Sequence, residues 1–177
     1  MVGSKADIVI TGSTFENNSA SAFGGAVTTS SSNGKVTLGA CTIAANTAGG
    51  SSLGGGAVCC GTLVVQGGTT TMTENVAETS NGGAICFQNV ALTVDSDATL
   101  LLSGNTAFAG LGNDLYFPAN GSIAVNGDVG GIINLYVENA GAGSTVLTGS
   151  NVAQCYNQFT FGDGSLSIAS NGTLISA

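Results

Sequence analysis

The sequence predicts an all-β fold, a right-handed parallel β-helix (β-solenoid) of about six coils. Three observations support this prediction: a short motif that recurs every 28 to 30 residues, strand-like segments that recur with it, and an absence of clustered helix formers. Self-similarity at such a period is typical of chains built from stacked units, because each unit buries its apolar face against the next.

The recurring motif joins an asparagine-bearing segment to a pair of glycines. Its copies read FENN with GGAV, IAAN with GGAV, MTEN with GGAI, and LSGN with GNDL. The asparagine tolerates a left-handed turn and can hydrogen bond to its equivalents along a stack, while the glycines allow positive φ or close backbone approach. We therefore interpret the motif as structural, with a ladder formed by Asn18, Asn46, Asn75 and Asn105.

A strand-like segment precedes each asparagine. These segments are residues 7–10, 35–38, 62–65 and 91–94, and nearly a full coil separates each from the next, so they should pair in parallel. Aligning the copies on their glycine pairs then predicts which side chains face inward. The inward columns are Val27, Val58, Ile85 and Leu115, and Thr29, Cys60, Phe87 and Phe117. The outward columns are Ala26, Ala57, Ala84 and Asp114, and Thr28, Cys59, Cys86 and Tyr116.

The pattern changes after Phe117, where Pro118 is the only proline of the chain. Short strand-like segments separated by glycine and asparagine still follow, and they most simply continue the solenoid with coils of another shape. We therefore expect one solenoid domain over residues 1–177, with regular coils in 8–117 and divergent coils in 118–177.

Composition excludes several functions. Charged residues make up only 7% of the chain, and two lysines with no arginine or histidine leave a net charge of −8. Nucleic acid is therefore not an expected partner, because phosphate binding draws on clustered lysine and arginine. No run of 18 apolar residues occurs, so no transmembrane helix is expected.

The paired motifs resemble the repeat of the polymorphic membrane proteins of chlamydial type. Segment 102–117 is similar to the last repeat of such an array, and residues 143–151 and 164–168 resemble generic autotransporter passenger repeats. The resemblance implies a parallel β-helix with surface display and adhesion. Phenylalanine opens only the first copy, and Ile43, Met72 and Leu102 replace it in the others.

Catalysis is disfavoured by the side chains present. A polysaccharide lyase needs lysine or arginine, and only Lys5 and Lys35 exist, whereas a hydrolase needs converging carboxylates. Asp95 and Asp97 are the one pair with suitable spacing, and a solvated turn explains them better. We therefore expect no enzyme activity, no cofactor and no metal site, with a polysaccharide-active enzyme as the least favoured alternative.

The five cysteines leave two alternatives open for one pair. Cys59 and Cys86 should stack on adjacent coils at about 4.8 Å between Cα atoms, which a disulfide can bridge, but stacked free thiols fit equally well. A disulfide would indicate an oxidising compartment.

Two classes of function follow from a rod whose ends are expected to be open. One is a surface-displayed or secreted rod for adhesion or protein–protein interaction, whose partner is a protein or alternatively a carbohydrate. The other is a structural subunit docked in a larger complex, at a membrane surface or in an organelle lumen. In either class, a protein partner or a continuation of the solenoid should cover the open ends.

Overall fold

The computed structural model describes residues 7–29, 31–50, 53–108, 110, 112–162 and 164–177. Lys5, named above, lies outside these ranges. The described residues are almost entirely strands and turns.

In chain order, the regular elements begin with the strands of the motif-bearing coils. These strands are β1 (Asp7–Thr11), β2 (Thr14–Glu16), β3 (Ser19–Ala20), β4 (Val27–Thr28), β5 (Lys35–Gly39), β6 (Thr42–Ala44), β7 (Thr47–Ala48), β8 (Val58–Val65), β9 (Gly68–Thr73), β10 (Val76–Ala77), β11 (Ile85–Val94), β12 (Ala98–Ser103), β13 (Thr106–Ala107) and β14 (Leu115–Phe117). The later elements are β15 (Ser122–Val125), β16 (Asp128–Gly130), β17 (Ile133–Val137), β18 (Leu147–Thr148), α1 (Val152–Cys155), a 3₁₀ turn (Tyr156–Gln158), β19 (Phe159–Phe161), β20 (Leu166–Ile168) and β21 (Leu174–Ser176).

These strands form three sheets that run along the stack. The largest has 12 strands and follows the order β1-β5-β8-β11-β14-β17-β19-β20-β21, with β4, β15 and β18 beside this path. The second sheet has the order β16-β12-β9-β6-β2, and the third has the order β13-β10-β7-β3. Every pairing up to β19 is parallel, so the predicted parallel β-solenoid is confirmed.

The core lies between the three sheets, and the repeat places equivalent residues in register. In the second sheet, Phe15, Ile43, Met72 and Leu102 pair across consecutive coils and point into this core. In the third sheet, an alanine occupies the inner position of every strand, at Ala20, Ala48, Ala77 and Ala107. In these two sheets, parallel pairing without slips repeats each buried position one coil later, which explains why the motif period predicts the core.

Both columns predicted to face inward are buried. Val27, Val58, Ile85 and Leu115 belong to the hydrophobic core, as do Cys60, Phe87 and Phe117. The rings of Phe87 and Phe117 stack with their centroids 4.2 Å apart, which extends the column from one coil to the next. Thr29, at the top of that column, is also buried.

The outward prediction for the alanine column is wrong. Ala57 and Ala84 are buried in the core, Ala26 packs against it, and Asp114 is also buried. The reason is a bulge before each strand: the N–H groups of Ala57 and Val58 both donate to the carbonyl of Ala84, at 3.0 Å each. Such a bulge breaks the alternation of side chains, so two consecutive residues both lie against the interior.

The Thr28 column faces away from the core as predicted, but only Thr28 is exposed to solvent. Cys59, Cys86 and Tyr116 leave the core side of the sheet, yet all three are buried. The loops that precede the glycine pairs cover them, with Gly54 hydrogen bonded to Cys86 and Asn81 to Tyr116. Facing away from the core is therefore not the same as facing solvent in this solenoid.

The C-terminal region departs from the expected continuation. The stack has about five turns rather than about six, because β19, β20 and β21 pair antiparallel. The one-turn helix α1 was also not expected, and it buries Val152 and Cys155 in the core. The last residues therefore fold back across the end of the sheet instead of winding one more coil.

Candidate functional site

The asparagine ladder is a continuous chain of side-chain hydrogen bonds. The Nδ2 of Asn18 donates to the Oδ1 of Asn46 at 2.9 Å, and the same bond joins Asn46 to Asn75 and Asn75 to Asn105 at 3.0 Å. The backbone N–H of each of the first three asparagines donates to the same oxygen of the next. The structure thus brings together all four asparagines singled out from the sequence.

Buried members of the ladder have their polar groups fully used. The Nδ2 of Asn75 also donates to the carbonyl of Ile43, and its Oδ1 accepts two bonds from Asn46. Asn46 and Asn75 are completely buried, whereas Asn18 is exposed at the N-terminal coil. A buried polar group stabilises a fold only when it is hydrogen bonded, so the ladder is a structural element that fixes coil register.

The residue before each ladder asparagine, and not the asparagine itself, adopts the left-handed backbone conformation. Tolerance of a left-handed turn is therefore not the reason for asparagine at these positions. Asn17, Ala45, Glu74 and Gly104 have φ values of 57°, 53°, 56° and 67°. This turn swings the next residue inward, so the asparagine is selected for its side chain and its neighbour for the turn.

Asp114 ends the ladder, a role that the sequence interpretation missed. Its Oδ1 accepts a bond from the Nδ2 of Asn105 and its Oδ2 accepts one from the N–H of Asn134, both at 2.8 Å. A carboxylate suits this position because two donors converge there and it accepts through both oxygens. The available signal was that Asp114 replaces the alanine found in the other three copies.

The electrostatics of Asp114 follow from its burial. Desolvation raises the pKa of its carboxyl above the usual range, while the bonds from Asn134 and Asn105 act in the opposite direction. Its side chain is 5% exposed, so the carboxylate is held by these donors rather than by water.

The two glycines of each pair have separate roles. Gly55 has a φ of 75°, which turns the chain. Gly56 allows close approach, because a Cβ there would lie 2.2 Å from the carbonyl oxygen of Gly83 and 2.5 Å from the nitrogen of Val76. In the last copy Asn113 replaces the second glycine, and its Oδ1 accepts a bond from the N–H of Ala107.

Cys59 and Cys86 are neighbours in register, but the disulfide considered for them is not formed. All five cysteines lie in the described ranges and all are free. Parallel strands in register hold paired Cβ atoms about 4.8 Å apart, beyond the 3.5–4.5 Å that a disulfide requires.

The two thiols interact with each other instead. The hydrogen bond with Cys86 lowers the pKa of Cys59 to about 7 against the opposing effect of burial, and bonds with Gln88 and Thr28 act in the same direction. The same hydrogen bond, together with burial, raises the pKa of Cys86. The pair therefore gives up one proton easily and holds the second strongly.

The outer face of the second sheet is an array of small hydroxyl side chains. Register places Thr14, Thr42 and Thr71 in one column that Leu101 continues on the next coil, with Thr69 and Thr99 paired beside it. Thr73 and Ser103 pair in the next column. We call this array the threonine face. Within its strands, the charged residues Glu16 and Asp128 lie in the two edge strands, β2 and β16.

The residues considered for catalysis lie in a turn and in a strand, and the structure does not bring them together. Asp95 and Asp97 lie in the turn between β11 and β12, and the Oδ1 of Asp97 accepts a bond from the N–H of Gly67. Lys35 lies in β5, in register with Asp7 and Thr62. Within the described ranges, no group of three or more histidine, cysteine, aspartate or glutamate residues is arranged to hold a metal.

Comparison with known proteins identifies the repeat. The model of the Chlamydia polymorphic membrane protein repeat matches residues 12–30 and 69–88, which contain the first and third copies of the motif. No curated protein and no solved structure gives a significant match. No helix in the described part of the chain is long and apolar enough to cross a bilayer. The chain is therefore a β-solenoid in which two segments are similar to the Chlamydia polymorphic membrane protein repeat.

Proposed function

We infer that the chain is a non-catalytic rod, displayed on a cell surface or secreted, that acts in adhesion or protein–protein interaction. The observation that carries this proposal is the threonine face, a regular surface on a rigid stack. The matching repeat family, named for membrane proteins of Chlamydia, supports display at a surface.

The threonine face suits contact with a partner for physical reasons. Its side chains are short and β-branched, so they lose little conformational freedom on binding. The sheet below them is held by the core and by the asparagine ladder, so the face is ordered before any partner arrives. Hydroxyl groups donate and accept hydrogen bonds, which fits either a polypeptide or a carbohydrate partner.

The residue inventory supports a non-catalytic role. The chain contains no histidine and no arginine, and Asp114, its most buried carboxylate among the described residues, is used to terminate the ladder. Asp95 and Asp97 occupy a turn rather than a cleft. A polysaccharide-active enzyme remains the least favoured alternative.

The test places charge on the threonine face of the whole chain. Beads coated with the chain are applied to cultured epithelial cells, and bound beads are counted for the wild type and for Thr42→Lys with Thr71→Lys. The matched control is Ala153→Lys with Ser170→Lys, two exposed positions outside the face. We expect at least a tenfold loss for the face variant and little change for the control.

Treating the cells beforehand separates the two partner chemistries. Protease treatment should abolish binding to a protein, whereas glycosidase treatment should abolish binding to a carbohydrate. Equal binding by the face variant and the wild type would contradict the assignment of the threonine face.

A structural subunit of a larger complex is the second candidate, and the N-terminal coil favours it. Strands β1, β2 and β3 each pair on one side only among the described residues. Val9 and Phe23 are 67% and 42% exposed there, and Ile8 and Phe15 are partly exposed although their neighbours Val36 and Ile43 are fully buried. Such a surface would be covered in an assembly, which the alternative location in an organelle lumen would also allow.

Solution behaviour distinguishes the two candidates. A monodisperse monomer in size-exclusion chromatography with light scattering supports the displayed rod. Recovery of the chain only with a stoichiometric partner, in a pull-down from its native source, supports the structural subunit.

A further inference from the structure

We propose that the thiolates of Cys59 and Cys86 bind one soft metal ion, Cu(I), in a two-coordinate site. This site lies away from the threonine face and does not depend on the proposed adhesion function.

The geometry of the pair carries the proposal. Cys59 in β8 and Cys86 in β11 are directly paired in register, and both side chains leave the sheet on the side opposite the core. Parallel pairing holds the two strands about 4.8 Å apart, so the two thiols lie side by side, and a hydrogen bond joins them. A bond between a metal and a thiolate is about 2.3 Å long, so one ion midway between the sulfurs reaches both.

The surroundings select the class of metal. Thiolate ligands favour Cu(I), whereas structural zinc takes four ligands. The described residues offer no third histidine, cysteine or carboxylate to complete a larger site. Both cysteines are completely buried, which keeps water from supplying the missing ligands. A low coordination number is therefore imposed by the protein.

The side chain of Gln88 completes the site. Its Nε2 donates to the Sγ of Cys59 at 3.3 Å and to the carbonyl of Thr29 at the same distance. A donor of this kind stabilises charge on sulfur and orients it. Gln88 is partly exposed, so its side chain extends from the buried thiol of Cys59 towards the surface.

Binding is a proton exchange without a redox step. The ion forms two bonds to sulfur, two S–H bonds break, and two protons pass to solvent while the metal remains Cu(I). Each thiol loses its proton as its sulfur bonds to the ion, because a thiolate is the form of cysteine that binds metal.

The experiment titrates the full, reduced chain with Cu(I) under nitrogen in competition with bicinchoninate. We expect one Cu(I) per chain, and at least a 100-fold loss of affinity in Cys59→Ala and in Cys86→Ala. The control is Cys60→Ala, which removes the adjacent buried thiol on the core side and should leave the affinity unchanged.

A second measurement uses the unaltered protein, so that folding of the variants does not limit the test. X-ray absorption of the Cu(I)-loaded chain should show two sulfur scatterers, and thermal unfolding should shift upward with Cu(I). Absence of binding, equal loss in Cys60→Ala, or three or more ligands to the metal would each overturn the proposal. A Cys59–Cys86 disulfide found by mass spectrometry of the non-reduced chain would overturn it as well.

Discussion

The motif-bearing coils and the C-terminal region hold their strands in register by different means. Residues 7–117 repeat a polar ladder, an alanine column and glycine pairs, so each coil specifies the position of the next. After Asp114 the stack instead relies on side-chain packing: Tyr116 stacks on Tyr136 with centroids 6.1 Å apart, and Tyr136 lies 5.8 Å from Phe161. Where the ladder ends, the coil becomes irregular and the strands later reverse.

This difference shows what a polar ladder contributes. Packing tolerates changes of shape if volume and pattern are kept, whereas a chain of buried amides is satisfied only when every coil is in register. The first region is therefore expected to unfold cooperatively and to respond strongly to single polar substitutions. The following predictions test that contrast, from the largest expected effect to the smallest.

Loss of a ladder amide inside the stack should have the largest effect. Asn75→Ala removes the oxygen that accepts two hydrogen bonds from Asn46, and it removes the Nδ2 that donates to the buried carbonyl of Ile43. We expect the free energy of unfolding to fall by about 3 to 5 kcal/mol in urea titrations. Asn18→Ala, at the exposed end, should lower it by about 1 kcal/mol. Equal effects at the two positions would show that the ladder does not set the register.

A methyl group at the second glycine of a pair should be the next most damaging change. Gly56→Ala places a Cβ against the backbone of Gly83 and Val76, which cannot move without shifting a neighbouring coil. We expect a loss of about 3 kcal/mol in the free energy of unfolding. Gly141→Ala in the C-terminal region, where a Cβ meets no atom within 4 Å, is the matched control and should change stability little. A mild effect of Gly56→Ala would contradict the close packing.

The junction at Asp114 should make stability depend on pH. Its pKa is raised in the folded state, so the folded chain binds a proton more tightly than the unfolded chain does. The contribution of Asp114 to the free energy of unfolding therefore falls as pH rises through the window between the ordinary carboxyl pKa of 3.8 and the raised pKa of the folded state. Within that window the slope is at most about 1.4 kcal/mol per pH unit. Asp114→Asn should be less stable at every pH, because its amide faces a donor, and it should lose this slope. An unchanged slope in urea titrations at several pH values would contradict this role.

The left-handed turn before a ladder asparagine should give the smallest effect, and a favourable one. Ala45→Gly removes the backbone strain at Ala45, which costs about 1 to 2 kcal/mol, but glycine also increases the conformational entropy of the unfolded chain. We expect a net gain of about 0.5 kcal/mol in the free energy of unfolding. Ala44→Gly in the adjacent strand should lower stability by about 1 kcal/mol, and a loss at both positions would argue against strain at Ala45.

The parts of the fold that repeat were predictable. The period fixed the strands, the parallel pairing and the Val58 and Ile85 column, because an apolar column that recurs in four coils must lie inside a stack. The ladder residues were identifiable for the same reason. The alanines of the third sheet also recur in the sequence, as the second residue after each ladder asparagine, but alanine is too common in this chain for that recurrence to stand out.

Features that occur once were not predictable. Asp114 replaces an alanine, and only the convergence of Asn105 and Asn134 around it reveals why. The burial of Cys59, Cys86 and Tyr116 depends on loops that cross over an outward face, and alternation along a strand does not report such a cover. The reversal of β20 and β21 likewise has no repeated signal behind it.

The sequence by itself determined that this chain stacks parallel coils, and which residues recur in its interior. A repeated pattern suffices for that, because each coil must satisfy the same contacts with its neighbours. Only the tertiary structure decided which outward residues are covered, where the ladder ends, and that two paired cysteines remain thiols. Those outcomes depend on single contacts between segments far apart in the chain, and on distances of a few tenths of an ångström that no sequence period encodes.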